Sequence, residues 1–345
     1  MAINIREVEN IRLSNVFSFV KNNPNEFYKH YPKNSFRFLG SGKAAIASVL
    51  SYLRKIKTIP DKTFEVMVPK WMGTWVYSQI NHYALTSPVL TGKTKVLFVY
   101  HQYGYPQQMD QIMDFAHKHK LVIIEDCAHS LVSKTDSNKL GFHGDYTIHS
   151  FSKFFFCYSL GGVISKNMNY LEYLDSQIQN TPRWITLFND TAKYISEISL
   201  SKNNNYDQFN SHLMALSYSL YNFGMGSSKR AKNLALSKMS KEIEIRKMYY
   251  KYFLDETNKY GICDHLIQEI LVPYIIPIIL KDKDVLKLVN TFRKNVFNTG
   301  IYHFDVNRCM LDPKFKNCIW VFCHSGLTKD EFEKQIYLIK KVIST

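Results

Sequence analysis

VLFVYHQYGYPQQMDQIMDFAHKHKLVIIEDCAHS, residues 96 to 130, decides the fold. It is led by KVLFVY (95–100), a nearly continuous apolar run of the kind that forms a strand buried on both faces. PQQMDQIMDFAHKHK then places Met109, Ile112, Met113 and Ala116 at the i, i+3, i+4, i+7 spacing of an amphipathic helix. LVIIED (121–126) is a second buried strand. Strand, helix and strand together predict a β-α-β unit with parallel strands and a right-handed crossover.

Working outward, FRFLGSGKAAIASVLSYLRK opens on glycines and becomes a helix with Ile46, Val49, Leu50 and Leu53 on one face, and TFEVMVP (63–69) is another strand. Residues 167–258 are mostly helical in texture, with the polar KNNN of 202–205 expected as a loop. After about Gly261 comes VPYIIPIIL, and a last helix opens with the capping box Thr328-Lys329-Asp330-Glu331 and carries Phe332, Ile336, Ile339 and Ile343. The expected fold class is α/β: a large domain over residues 20–245, residues 1–19 packing as an arm or helix, and a smaller α+β C-terminal domain over 246–345.

The chain has 345 residues, 46% hydrophobic and 21% charged, a composition that folds rather than stays disordered. ILVPYIIPIIL (270–280) carries two prolines and falls short of the ~20 apolar residues a membrane span needs. The N-terminus, MAINIREVENIRL, has charges where a signal peptide has its apolar core, so a cytoplasmic protein is expected. Six scattered cysteines without a C-x-x-C pair suggest reduced core residues. A net charge of +15 favours anionic partners such as phosphates or nucleotides. The lysines are spread along the chain and no nucleic-acid module is recognisable, so nucleic acid is disfavoured as the main partner.

Three short elements could carry chemistry. Asp126 stands at the C-terminal end of a parallel strand, where open α/β sheets bind their ligands, with His129 three residues on. Gly40-Ser41-Gly42-Lys43 opens a helix whose first N–H groups can hold an anion, yet it is neither a Walker A loop nor G-x-G-x-x-G. Ser150-Phe151-Ser152-Lys153 precedes Gly161-Gly162 and puts a lysine beside three phenylalanines, where a bare ammonium is costly. An S-x-x-K acyl enzyme would need S-D-N and K-T-G partners, which are missing. A phosphate-bearing aldehyde cofactor uses all three elements: a lysine for the Schiff base, a carboxylate to keep the ring nitrogen protonated, and a helix N-terminus for the phosphate. Pyridoxal phosphate accounts for the buried lysine.

The same residues resemble the DegT/DnrJ/EryC1/StrS group of fold-type-I pyridoxal-phosphate enzymes, largely sugar aminotransferases. The 96–130 stretch is similar to the family's strand, Y/F-G turn, helix and E-D-x-A-[HQ] strand end. GFHGDYTIHSFSK resembles its G-x-x-G-D, S-F and lysine, YNFGM (221–225) its N-Y-R-M, and WVFCHSGLTKDEFEKQI its closing L-P-x-H and final helix. The resemblance implies a three-layer α/β/α domain with a mixed, mainly parallel sheet. It also implies a catalytic set of Lys153 (the Schiff-base lysine), Asp126 (the partner of the pyridine nitrogen) and His129 (by the phenolic oxygen). Ser150, Gly42 and Lys43 would hold the phosphate, Trp71 or Trp75 would stack on the ring, and Asn222 would reach a partner subunit's phosphate in a homodimer with shared sites.

The implied function is transfer of an amino group from an amino acid such as glutamate to a keto-sugar or nucleotide-linked keto-sugar, in surface polysaccharide or related sugar biosynthesis. The alternative is a catalytically degraded relative that serves as a binding partner or scaffold. Departures from the family pattern are Lys43 in place of threonine, Gly224 in place of the N-Y-R-M arginine, the short S-x-x-K spacing, and the missing H-x-Y/F box in LVPYIIPIIL.

Overall fold

A computed structural model describes residues 5–9, 24–132, 140–201, 207–262, 264–266 and 271–344. The KNNN segment, Cys263 and most of residues 1–19 lie outside these.

The order of elements is α1 (Pro24–His30), β1 (Phe36–Leu39), α2 (Gly42–Lys55), β2 (Glu65–Met67), α3 (Thr74–Asn81), β3 (Leu85–Ser87), β4 (Thr94–Tyr100), α4 (Met109–His119), β5 (Val122–Asp126), β6 (Tyr146–Ser150) and β7 (Gly161–Ser165). Four helices follow: α5 (Met168–Gln179), α6 (Arg183–Ser201), α7 (Asp207–Ser219) and α8 (Lys229–Thr257). The chain ends with β8 (Ile276–Ile278), α9 (Asp282–Lys294), β9 (Tyr302–Asp305), β10 (Phe315–Val321) and α10 (Lys329–Ile343).

Seven strands form one sheet in the order β1-β7-β6-β5-β4-β2-β3. From β3 through β6 the pairs are parallel, and β7 and β1 close one side antiparallel. The continuous apolar run of β4 is explained by two covered faces. Val96, Phe98 and Tyr100 pack with α2, whereas Leu97 and Val99 pack with Met109, Ile112 and Ala116 of α4. The helix expected after β4 and the capping box at Thr328 are both present. TFEVMVP yields only the three-residue β2.

Helix α8 runs unbroken from Lys229 to Thr257 and leads into the antiparallel sheet β8-β10-β9. One apolar cluster joins this helix and small sheet to the phenylalanines 154–156. The N-terminal residues dock on both parts: Ile5 bridges Phe297, and the Arg6 guanidinium donates to Glu197 of α6 at 2.6 Å.

The loop between β5 and β6 is tied by a buried carboxylate. Glu125 accepts N–H bonds from Gly141 (3.0 Å), His143 (2.7 Å) and Gly144 (2.5 Å), and its Oε2 lies 3.1 Å from His101 Nε2. Burial alone would raise its pKa, but His101 and these N–H groups outweigh burial and hold it below the usual carboxylate value. A depressed folded value stabilises above the unfolded pKa and loses that contribution as pH falls through the folded one. Glu125→Gln should therefore cost on the order of 2–4 kcal/mol at pH 7. In urea melts the gap from wild type should narrow below pH ~4. An equal gap at pH 7 and pH 3 would show that Glu125 is not held as a carboxylate.

Candidate active site

The ends of β4, β5 and β6 open on a cavity of about 520 Å³, closed above by α6 and α7 and at the side by the small sheet. Gly42, Lys43, Trp71, Trp75, Asp126, His129, Ser150 and Lys153 all line it. Eight residues singled out from separate stretches of sequence thus converge on one space, at the carboxyl ends of parallel strands. The side chain of Asn222, also expected at the site, lies outside what is described.

Lys153 closes a short 3₁₀ turn after β6, and its Nζ lies 2.6 Å from His129 Nε2. His129 Nδ1 is 2.6 Å from Tyr100 Oη. An ammonium at Lys153 donates to Nε2 and leaves Nδ1–H to donate to Tyr100; with a neutral amine the tautomer can reverse. The imidazole is clamped between Tyr274 (4.5 Å, 13°) and Tyr103 (5.9 Å, 21°). Burial, with Lys153 adding to it, pushes His129 well below its usual pKa, so it is neutral. Burial also lowers Lys153 to about 8, against the opposing pull of Asp126.

Asp126 is 3% exposed and its pKa is raised by burial, against Lys153 and the Ala128 N–H, which lower it. Oδ1 accepts from Ala128 N at 2.9 Å, so the carboxylate has acceptor capacity to spare for the cavity. The Tyr103-Gly104 turn sets this geometry. Gly104 has φ +93°, and a Cβ there would lie 2.4 Å from the His129 carbonyl oxygen and 3.0 Å from Pro273 Cα.

On the opposite wall, α2 begins at Gly42 under an N-cap in which Ser41 Oγ accepts from Ala44 N at 3.0 Å. A Cβ at position 42 would come within 3.0 Å of Ser150 Cβ, so glycine lets the helix start approach β6. The Ser150 side chain is 8% exposed and has no hydrogen-bond partner among the described residues. With no base on that hydroxyl, the acyl-enzyme reading finds no support. The free hydroxyl beside a helix N-terminus suits a phosphate, Lys153 a carbonyl, and Asp126 a protonated ring nitrogen. The residues present therefore fit pyridoxal phosphate.

Residues 79–181 match the DegT/DnrJ/EryC1/StrS aminotransferase family. That match covers under a third of the chain. The chain is 30% identical over 114 residues to GDP-perosamine synthase of Escherichia coli O157:H7, covering 33% of this chain and 30% of that protein. It is 32% identical over 122 residues to a UDP-N-acetyl-3-dehydro-alpha-D-glucosamine 3-aminotransferase of Acidithiobacillus ferrooxidans, covering 34% and 33%. The matches thus span about a third of these relatives.

Solved structures with the same fold include Helicobacter pylori PseC, an aminotransferase of pseudoaminic acid biosynthesis (TM-score 0.66, 10% identity, 99% of this chain and 100% of that one). Escherichia coli GDP-4-keto-6-deoxy-D-mannose-3-dehydratase with hydrated PLP is another (TM-score 0.62, 17% identity, 92% and 90%). The fold-type-I architecture expected from sequence is the one found.

The cavity also has walls that sequence reasoning passed over: Tyr100, Tyr103, Lys193, Tyr218, Tyr302 and Trp320. Tyr100 ends β4, and its strand-end position was a usable signal. Tyr302 and Trp320 stack at 3.6 Å across the small sheet, and Lys193 and Tyr218 lie on helices with no motif around them. Cys127 and Cys157 are buried thiols whose pKa burial pushes up, as packing residues should be. His324 is structural too, its Nε2 2.8 Å from the Arg6 carbonyl oxygen.

His101, Glu125 and Cys127 place their ligand atoms within 4.8 Å of one another. They are already used, because His101 Nδ1 accepts from Gln107 N, Glu125 is filled by the loop, and the Cys127 thiol is held protonated.

Gly104→Ala should destabilise by about 1–3 kcal/mol through backbone strain and contact. It should also reduce cofactor uptake by displacing His129. A variant that melts and loads like wild type would show that the turn does not set the site.

Proposed function

We propose that this chain is a pyridoxal-phosphate-dependent aminotransferase that moves an amino group from an amino acid, glutamate by our reading, to a nucleotide-linked keto-sugar. The observation that carries this is the 2.6 Å contact between Lys153 Nζ and His129 Nε2, in a cavity that also holds buried Asp126 and the free Ser150 hydroxyl. The relatives named for GDP-perosamine and for UDP-N-acetyl-3-dehydro-alpha-D-glucosamine support the acceptor class. An amino sugar for a surface polysaccharide is the product we infer.

When bound, the cofactor supplies an electron sink that lets a C–H bond beside an amino group ionise. Asp126 keeps the ring nitrogen protonated; its burial makes the carboxylate respond to that positive partner strongly. Lys153, lowered to about 8, has an appreciable neutral fraction near pH 7–8 and can take up and return the substrate proton. His129 fixes the lysine's direction between donor and acceptor turns of a ping-pong exchange. The dehydratase fold neighbour raises a second chemistry, elimination instead of transfer. Lys153 disfavours it, because a proton shuttle at the substrate carbon is what transfer needs.

The reading includes a cytoplasmic homodimer. The large apolar side chains exposed on α6, α7 and the following turn, Trp184 (58%), Leu187 (69%), Phe209 (54%) and Phe223 (73%), support it as a surface for a second copy. Among the described residues no helix is long and apolar enough to cross a membrane.

Purified protein loaded with pyridoxal phosphate should show a visible absorption band that glutamate bleaches, and Lys153→Ala should lack it. It should also exchange label between glutamate and 2-oxoglutarate without a sugar. A bound cofactor that glutamate leaves unchanged would remove glutamate as donor, and no band at all would sink the enzyme reading.

Loading should accelerate as pH rises through about 8, where Lys153 becomes neutral. Because Asp126 raises Lys153, Asp126→Asn should move that inflection to lower pH. An inflection that stays or rises would show that the two groups are not coupled.

A further inference from the structure

Lys43, at the start of α2, is expected at the phosphate from the sequence, which does not say what holds its side chain there. Its ammonium has no carboxylate partner among the described residues. Instead Nζ lies 3.2 Å from the centroid of the Tyr218 ring and 4.7 Å from that of Trp75, and the two rings meet edge to face at 5.4 Å. Aromatic faces attract a cation by their quadrupole and leave its N–H groups free for an anion. Burial, then Lys153 and Lys193, push Lys43 down to about 6, so a dianion beside it is what would hold the ammonium form near neutral pH. Lys193 is offset by Glu197 at 2.5 Å, and the Tyr218 phenol is pushed up by burial and stays neutral.

Three further observations point to the ligand. Helix α2 has no acidic residue in its first turn, so its positive end is not neutralised. Its first N–H groups lack intrahelical acceptors, as in every α-helix. The buried Ser150 hydroxyl, unpartnered, faces the same space. A free hydroxyl, a helix start and a caged ammonium make a seat for a dianion.

Resting on the cofactor reading above, we propose that Tyr218 of α7 is a positioning residue that holds the Lys43 ammonium at the phosphate seat of α2. The α6–α7 hairpin then completes the anion site within one chain, by charge where the family pattern has a threonine hydroxyl. A free lysine stem samples many rotamers, and the ring face removes most of that freedom before the phosphate arrives.

The test titrates apoprotein with pyridoxal phosphate, with pyridoxal and with inorganic phosphate, following absorbance for the aldehydes and heat for phosphate. The proteins are wild type, Lys43→Met, Tyr218→Phe, Tyr218→Leu and the Lys43→Met/Tyr218→Leu double variant. Lys43→Met should weaken pyridoxal phosphate about tenfold or more, and Tyr218→Leu about three- to tenfold, the range of one cation–π contact. Tyr218→Phe keeps the ring face and should stay within about twofold. Pyridoxal affinity should stay level throughout, and Tyr218→Leu should add nothing once Lys43 is gone. Should Tyr218→Leu not fold, Tyr218→Met removes the ring while filling the space.

Equal losses for pyridoxal and pyridoxal phosphate, additive losses in the double variant, or wild-type affinity in Tyr218→Leu would each overturn the proposal while leaving the cofactor in place. Wild type that takes up neither aldehyde but binds inorganic phosphate in a Lys43- and Tyr218-dependent way would keep the anion site and remove the cofactor. Wild type that binds none of the three would overturn both.

Discussion

Two adjacent carboxylates end β5, and the two-residue period of a strand sends them to opposite faces. Glu125 turns to the loop 141–144, where backbone N–H groups and His101 fill it. Asp126 turns to the cavity, where Ala128 N takes one lone pair and acceptor capacity remains. One acid is satisfied by the protein and anchors the loop leading to β6, while the other is kept for a ligand. Since β6 delivers Ser150 and then Lys153, the anchor formed by Glu125 also sets where the lysine arrives.

The cost of this arrangement is visible in the charges. Lys43 and Lys153 lie in surroundings that lower their pKa, Asp126 in one that raises its own, and His129 is held neutral. In each case burial is the largest cause, because charge is dear where water is scarce. The shifts cluster in one cavity, as they do where groups are poised for chemistry. A bound anion at α2 and a cationic ring at Asp126 would relieve both ends of that imbalance. His101 is closed off by its bonds to Glu125 and to the Gln107 N–H and stays structural.

The local parts of the site were legible because each rests on a short-range rule. The apolar runs around Asp126 read as strands, the helix of 109–119 has a clean period, and glycines mark the start of α2. Glu125 was passed over although it neighbours Asp126. Only the folded loop shows that three N–H groups converge on it. Tyr218 and Lys193 were invisible for a different reason. They sit in helices whose pattern is amphipathic and unremarked, and nothing local says that α6 and α7 fold back over β6. The segment YNFGM was read for Asn222, yet it is Tyr221 that packs under the start of α2, bonding Ser159 Oγ at 2.9 Å and the Gly40 carbonyl oxygen at 3.2 Å.

By itself the sequence determined the strands, the helices, and the order in which Gly42, Asp126, His129, Ser150 and Lys153 come along the chain. Periodicity, capping and strand-end position are properties of neighbouring residues, so a linear reading reaches them. The tertiary structure decided which side chains share a space: the cage of Tyr218 and Trp75 around Lys43, the clamp of Tyr103 and Tyr274 on His129, and the small-sheet wall of Tyr302 and Trp320. Those contacts join residues up to 175 positions apart, as Lys43 and Tyr218 are. Their geometry comes from packing whole helices and sheets against each other, and no local propensity encodes it.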